Sequence, residues 1–347
     1  MAGTLVGLDV GSHSVKVVEL ARAGGRFRVA RAATVPTPPG GVVEGAVGDP
    51  KVLGGAVRRA FEQAGIRNRR VNTALSARAV VVREIRLPQM PDEELVQAVR
   101  FEAERYLPAG IRDAAVDFQV LERVQEGQTT RLDVLFVAAR REVVDGLTAA
   151  LQEAGVTPEV LEVTSFALMR LFQDEAKDGA LVLADLGADS SDILVVHKGR
   201  LRLARTVPVA GNALTRAVAG LLGLEPAAAQ AAKEERGVAV ANPTSLSDPM
   251  SARIADALVP VLGDILTELR RSMDYFYSRW PGEPLKKVVL TGGTARLQNI
   301  AALFADELNV PVEVGDAFRV VAGDGLDPAL APVLATAVGL ALRGAEP

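Results

Sequence analysis

The sequence contains no cysteine, two histidines and one tryptophan among its 347 residues. Without cysteine there is no disulfide framework, thiolate metal site or thiol nucleophile, and two histidines are too few for a histidine-rich metal centre. A basic excess is missing as well. The 39 lysines and arginines against 43 aspartates and glutamates give a formal charge of -4, which argues against a nucleic-acid surface. Lysine is scarce, seven in the chain, so a lysine inside a motif carries more weight. Long apolar runs are also lacking: the longest uncharged segment, 328–342, falls short of the roughly 20 residues that a membrane-spanning helix takes. The first apolar run is broken by Asp9 with no basic residue ahead of it, unlike a secretion signal. A cytoplasmic protein is expected.

What is present is an ordinary globular composition, 49% hydrophobic and 24% charged, in a chain long enough for two domains. Alternating apolar residues predict strands at 4–10, 15–20 and 27–35, then a helix closed by Gly65, then strands at 70–75 and 79–87 on the same sheet. An insertion follows, with a helix introduced by LPQMPDEEL and stopped at Pro108, a hairpin at 114–121 and 131–138, and a helix at 141–154. From Ala180 the pattern restarts: strands at 180–185, 191–197 and 200–207, helices at 211–222, 226–236 and 251–278, and a strand at 286–291. A helix from about Leu297, a strand near 310–314 and a closing helix near 329–342 complete the chain. The echo predicts an α/β protein built from a duplicated domain, 1–178 with an insert at about 88–154 and 179–347 with a helical insert at about 212–283.

Residues 5–20, LVGLDVGSHSVKVVEL, and 181–196, LVLADLGADSSDILVV, each break an apolar run with Asp-x-Gly and small polar residues. A turn of this kind points backbone N–H groups into a concave space that can hold an anion. Two such turns, face to face, would grip a polyphosphate from both sides. Asp9 and Asp185 at the strand ends suit a magnesium ion, bound directly or through water, and Lys16 supplies positive charge for a β- or γ-phosphate. One turn alone is most simply a hairpin. The weight comes from two in matched context, joined by Gly292-Gly293-Thr294-Ala295 after a strand of the second half.

These residues resemble the actin-like ATPase superfamily, which includes actin, sugar kinases, the seventy-kilodalton heat-shock chaperones and the division protein FtsA. Asp9, Gly11, Ser12, Ser14 and Lys16 are similar to its first phosphate motif; Asp185, Gly187, Ser190 and Ser191 are similar to its second. Gly292, Gly293, Thr294 and Ala295 are similar to its adenosine motif. Gly211 and Asn212 fall where relatives contact phosphate, and Lys233 and Glu234 where they contact ribose or adenine. Within the superfamily the chain resembles the PilM family of type IV pilus assembly over almost its full length. That likeness rests on LPQMPDEELVQAVRFEAERYLP at 87–108, the inserted subdomain and ATAVGLALRG at 335–344.

The resemblance implies an actin-like ATPase fold of two duplicated RNase H-like domains with small inserted subdomains. It implies ATP and Mg2+ as cofactors, weak or no hydrolysis, and an adaptor role at the inner face of the inner membrane. The N-terminal cytoplasmic tail of PilN is the implied partner, held in a groove beside the insert, with Glu102 and Tyr106 as candidate contacts. Other inner-membrane assembly components and motor ATPases are further implied partners, membrane association runs through partners only, and homo-oligomerisation is left open. So is the use of the pili in motility, adhesion or DNA uptake.

The departures from the family pattern are informative. Asp189 stands where many relatives carry a small residue, Ala210 replaces a glycine and Gln230 a glutamate. In LEVTSFAL at 161–168, Thr164 occupies the place of a candidate water-activating glutamate, and losing a general base costs about 10²–10⁴-fold in rate. Glu162 is two residues off. Glu102 serves either a partner or an ion pair with an arginine of its own subdomain, while His13, His197 and Trp280 read as turn, surface or packing residues. Two rival functions stand beside the adaptor. A small-molecule kinase of the superfamily would need an aspartate base near 70–90 or 160, and a filament-forming division protein like FtsA would need a basic amphipathic C-terminal helix, where ALRGAEP has one arginine.

Overall fold

The computed structural model describes residues 5–107, 113–238 and 249–345. Three strands open the first half, β1 (Val6–Val10), β2 (Ser14–Ala23) and β3 (Arg26–Pro36), paired antiparallel. A short ribbon of β4 (Val42–Val43) and β5 (Ala46–Val47) leads to α1 (Pro50–Ala64). Asp49 caps α1 by accepting from the amides of Lys51 and Val52, as short polar N-cap side chains do. β6 (Arg70–Leu75) runs parallel to β1. A small unit follows, β7 (Val80–Pro88), α2 (Asp92–Glu104), β8 (Ala114–Glu126) and β9 (Thr129–Arg140). α3 (Arg141–Ala154), β10 (Thr157–Val163) and α4 (Thr164–Phe172) return the chain, and β10 pairs with β6 to give the order β10-β6-β1-β2-β3.

The second half repeats this plan. β11 (Ala180–Leu186), β12 (Ser191–His197) and β13 (Arg200–Val207) form an antiparallel meander, followed by α5 (Gly211–Leu222), α6 (Pro226–Arg236) and α7 (Pro249–Arg279). β14 (Leu285–Thr291) lies parallel to β11, α8 (Ile300–Leu308) leads to β15 (Val312–Val314), and α9 (Ala335–Leu342) follows. The order β13-β12-β11-β14-β15 matches the first sheet strand for strand.

Strand periodicity decides what each sheet face covers. On β11, Val182 and Ala184 face the layer of α5, α7 and α8, while Leu181 and Leu183 face a middle layer with α4 and α9. That middle layer also takes Val18, Leu20 and Val29 of the first sheet, so it joins the two halves. α4 and α9 cross so closely that a Cβ on Gly339 would stand 2.2 Å from the carbonyl oxygen of Ala167. The opposite face of the first sheet is covered by α1 and α3.

Several boundaries differ from those read in the sequence. The strand expected at 79–87 leaves the main sheet and pairs with β9 in a three-stranded sheet ordered β7-β9-β8. The reason is its partner core: Leu87 packs with Leu95 and Val99 of α2 and with Phe136 of β9. Helix 141–154 belongs not to the insert but to the first domain, because Val143, Leu147, Ala150 and Leu151 pack with Leu53, Val57 and Phe61 of α1. The inserted unit therefore runs 80–140 rather than 88–154. In the second half, the stripe of Ile254, Leu258, Leu262, Ile265 and Leu269 lays α7 on the sheet itself, so the expected helical insert at 212–283 shares the domain core. The helix expected from Leu297 begins at Ile300, and the closing helix begins at Ala335 after a single 3-10 turn at 328–330. Pro108, the expected stop of α2, lies outside the described residues.

Candidate functional site

Two hairpin turns of the same construction face one cleft. In the first, the Gly11 amide donates to the Ser14 carbonyl at 3.1 Å; in the second, the Gly187 amide donates to the Ser190 carbonyl at 3.1 Å. The strands feeding each turn are in the same register, so that Asp9 stands opposite Lys16 and Asp185 opposite Asp192. Directly opposed residues share a sheet face and interact. In the first hairpin this gives an ion pair, Lys16 Nζ to Asp9 Oδ2 at 2.8 Å, with both side chains largely buried. The duplication puts a second acid where the first hairpin has its lysine.

That exchange shapes the electrostatics. The Asp185 carboxyl is pushed up to about 7, first by its removal from bulk water, then by Asp192 and Asp9, while Lys16 and the Thr291 hydroxyl pull it back. Asp192 is pushed up to about 6 by burial, with the Thr206 hydroxyl, which donates to its Oδ1 at 2.6 Å, opposing. Burial also brings the Lys233 ammonium down to about 8.

The cleft has a volume of about 410 Å³. Most of the residues expected from the sequence line it: Asp9, Gly11, Ser12, Ser14 and Lys16 on one side, Asp185, Gly187 and Ser190 on the other. Gly211, Asn212, Lys233, Glu234, Gly292, Gly293 and Thr294 complete the wall of the second half. Gly292 is required by its surroundings. At φ 84° a Cβ there would lie 2.5 Å from Asp185 Oδ1. The Thr294 hydroxyl and the Gly211 amide both donate to the Gly187 carbonyl, at 2.8 and 3.1 Å, tying the third loop and the start of α5 to the second turn.

Two expected residues stand back from the wall. Ser191 is buried, its hydroxyl donating to the Val209 carbonyl at 2.7 Å, and Ala295 packs into the second core. Lys233 lines the cleft, yet its ammonium donates to Gly211 O, Thr215 Oγ1 and Gln230 Oε1 at 2.8–3.1 Å. It braces α6 against α5. Asp189 faces the cleft but its Oδ1 accepts from Asn212 Nδ2 at 2.7 Å, which turns the carboxylate toward α5. Asp192 and Arg296 also line the cleft. Asp192 was legible in the equal seven-residue spacing of the two hairpins; Arg296 had no such signal.

Five acids, Asp9, Asp185, Asp189, Asp192 and Glu234, line the cleft against Lys16, Lys233 and Arg296. A polyphosphate placed there meets carboxylates unless a cation stands between, and magnesium, which keeps several waters and takes few protein carboxylates, fits that donor set. No cluster of three or more His, Cys, Asp or Glu side chains able to hold a metal by themselves occurs among the described residues. The first-domain wall near the turn carries Ser76 and Thr164. Thr164 Oγ1 accepts from the Ala77 amide at 3.2 Å. Glu162 does not substitute for it, being held in a bidentate pair with Arg170 at 2.8 and 2.9 Å, both side chains almost fully buried.

A second cavity, about 480 Å³, lies between the small sheet and the second domain. Val80, Val81, Val82 and Arg83 of β7 form one wall, Leu203, Ala204, Arg205 and Thr206 of β13 the other, and Ala77, Arg78 and Ser165 lie between. Because strand side chains alternate, four consecutive residues lining a cavity mean that the strand edge faces it. Among the described residues β7 and β13 are both edge strands, so each offers main-chain groups that no described strand pairs with. Ser165 Oγ, fully buried here, has no hydrogen-bond partner among the described residues. Of the two expected partner contacts, Tyr106 sits tilted against Phe136, ring centroids 5.9 Å apart, and lies under the guanidinium of Arg83, while Glu102 pairs with Arg105 at 3.1 Å; neither lines the groove. No described helix is long and apolar enough to cross a membrane.

Comparison with known proteins places these features. The family model for type IV pilus assembly protein PilM matches residues 7–345. Among solved structures, a PilM-PilN type IV pilus biogenesis complex superposes with a TM-score of 0.85 and 35% sequence identity, covering 99% of this chain and 98% of that one. MreB5 of Spiroplasma citri bound to ADP superposes with a TM-score of 0.54 at 12% identity, over 96% and 94% of the two chains. Cell division protein FtsA of Escherichia coli is 24% identical over 387 residues, 99% of this chain and 90% of that protein. The fold is the actin-like ATPase fold.

Proposed function

We propose, for a chain that belongs to the PilM family of type IV pilus assembly proteins, that it works as an ATP-loaded adaptor which holds the N-terminal tail of PilN. The reading rests above all on the two matched turns facing one cleft, with Lys16 on the first and paired acids on the second. ATP binds with its phosphates between the Gly11–Ser14 and Gly187–Ser190 turns and its adenosine toward Gly292–Thr294. Mg2+ is held through Asp9 and Asp185, and supplies the positive charge that lets phosphates approach the acids. The wall opposite carries hydroxyls at Ser76 and Thr164 where a phosphotransferase would use a carboxylate base, which favours a scaffold over a kinase. Steady-state turnover is expected below about 1 s⁻¹, the low end for ordinary enzymes.

The tail occupies the groove between β7 and β13 as an added strand, a mode in which main-chain bonds give affinity and alternate pockets give specificity. This keeps the protein at the inner face of the membrane through its partner. Fluorescence anisotropy with a labelled synthetic N-terminal peptide of the cognate PilN, in saturating ATP and Mg2+, tests it. Wild type is expected to bind, and Val82→Glu, which puts a charge into the groove wall, to lose at least tenfold in affinity. Equal binding by the variant would remove the tail from this groove.

A further inference from the structure

Arginines gather at the end of the first sheet that lies away from the cleft. β2 starts at Ser14 in the cleft, so its turn into β3 is at the far end, and Arg22, Arg26 and Arg28 are exposed around that turn. β6 runs parallel to β1, whose last residues line the cleft, so Arg67, exposed just ahead of β6, belongs to the same far end. α9 leaves the cleft at Thr336 and is level with Asn72 of β6 at Leu340, whose carbonyl accepts from Asn72 Nδ2 at 3.2 Å. The exposed Arg343, one turn on, therefore joins the others. Neighbouring strands are about 4.8 Å apart, so the end from β6 to β3 is only about 15 Å wide. Beside them Arg31 and Arg70 are taken by Glu19 and Glu159, but the other five form no ion pair among the described residues. We propose that this end is a contact surface for the anionic headgroups of a lipid bilayer.

Charge and shape both point to a plane of anions. The unpaired exposed acids at this end of the first domain are Glu62, near the end of α1, and Glu153, near the end of α3. The five arginines outnumber them on a chain whose net charge is -4, so positive charge is concentrated here against the overall balance. None of the five lines the cleft or the groove. They come from three separate segments and stand exposed, a spread that suits many headgroups side by side rather than one enclosed ion. Arg22 lies over the Phe27 ring at 5.0 Å, a cation–π contact that steadies its guanidinium at the turn. Each basic side chain close to an anionic leaflet strengthens binding roughly fivefold, so an excess of three gives about a hundredfold over neutral lipid. Such a contact is weak alone, but a tethered partner raises the local concentration of the surface and makes it effective. It also sets a direction: with the arginines on the bilayer, the cleft opens away from it. The choice of lipid over other polyanions rests on the adaptor reading above, which sets the chain against the inner membrane.

The experiment is co-sedimentation of the full chain with vesicles of phosphatidylcholine alone and of phosphatidylcholine with about one-third phosphatidylglycerol, the anionic lipid that supplies the surface charge. Wild type is expected to sediment with the anionic vesicles and not with the neutral ones. Raising the salt to about 1 M, where charges are screened beyond roughly 3 Å, should release it. The double variant Arg26→Glu with Arg28→Glu reverses two of the five charges and should lose at least tenfold in binding. A second double variant, Arg100→Glu with Arg216→Glu, makes the same change of net charge on exposed positions of α2 and α5 and should bind as wild type does. Thermal transitions of both variants check that they fold. No binding of wild type to anionic vesicles overturns the proposal, and so does an equal loss in the two double variants, which would make net charge the cause and not this end. Retention of wild type on duplex DNA with none on vesicles would give the arginines to nucleic acid and also overturn it. Neither nucleotide nor PilN peptide is present in the assay, so a negative result leaves the adaptor reading standing, and a failure of the peptide to bind leaves the vesicle result in force.

Discussion

Asp185 and Asp192, opposed across one hairpin, set the pH behaviour of the nucleotide-free protein. An unfolded aspartate titrates near 3.9, whereas these two are raised to about 7 and about 6 in the fold. Between about pH 4 and pH 7 the folded protein therefore keeps protons that the unfolded chain has released. Their contribution to stability is full below about pH 4 and is lost as pH rises through the folded values. Thermal melts of the nucleotide-free protein should show the transition temperature falling from pH 5 to pH 7.5. Asp185→Asn, which carries no charge to repel Asp192, should flatten that slope, raise the transition temperature at pH 7.5 and weaken ATP·Mg2+; a slope equal to wild type would show that the pair does not control it. Some of this was visible in the sequence, since the seven-residue spacing from Asp9 to Lys16 recurs from Asp185 to Asp192. The direction of individual side chains was not. Ser191 belongs to the second motif by sequence, but as the first residue of β12 its hydroxyl goes to the Val209 carbonyl.

Elements were readable one by one, while their assignment to layers was not. The alternation in 79–87 marks a strand, yet nothing within it tells whether its neighbour is β6 or β9; the core of α2 decides that. The same holds for α3, whose stripe fits any apolar helix and is settled by α1. The resemblance implied a groove beside the insert, but its lining residues had no sequence signal, because its walls are two short edge segments some 120 residues apart, 80–83 and 203–206. Helix crossing gives a sharp test at this scale. Gly339→Ala pushes a Cβ against the Ala167 carbonyl where α9 meets α4, and overpacking of this kind costs about 1–3 kcal/mol. Gly220→Ala, on exposed α5 backbone with open space around it, should instead stabilise by about 0.5–1 kcal/mol. Denaturant titration of the two variants should move the midpoint in opposite directions, and a harmless Gly339→Ala would contradict the close crossing.

At the scale of the whole molecule, two copies of one sheet topology meet through the α4–α9 layer and leave a cleft on the side where their turns converge. Duplication explains both the fold and its acid-rich floor. One hairpin supplies the lysine, the other an extra carboxylate, so in the proposed reading a cation has to stand between the phosphates and the acids. Removal of Mg2+ with EDTA should accordingly abolish most ATP binding rather than trim it. The most direct measurement is calorimetric titration of ATP·Mg2+ into wild type and Lys16→Ala. The account predicts one nucleotide per chain for wild type and an affinity roughly tenfold to a hundredfold weaker for the variant, the worth of one charge-assisted contact. No binding to wild type, or equal binding to both, would contradict it.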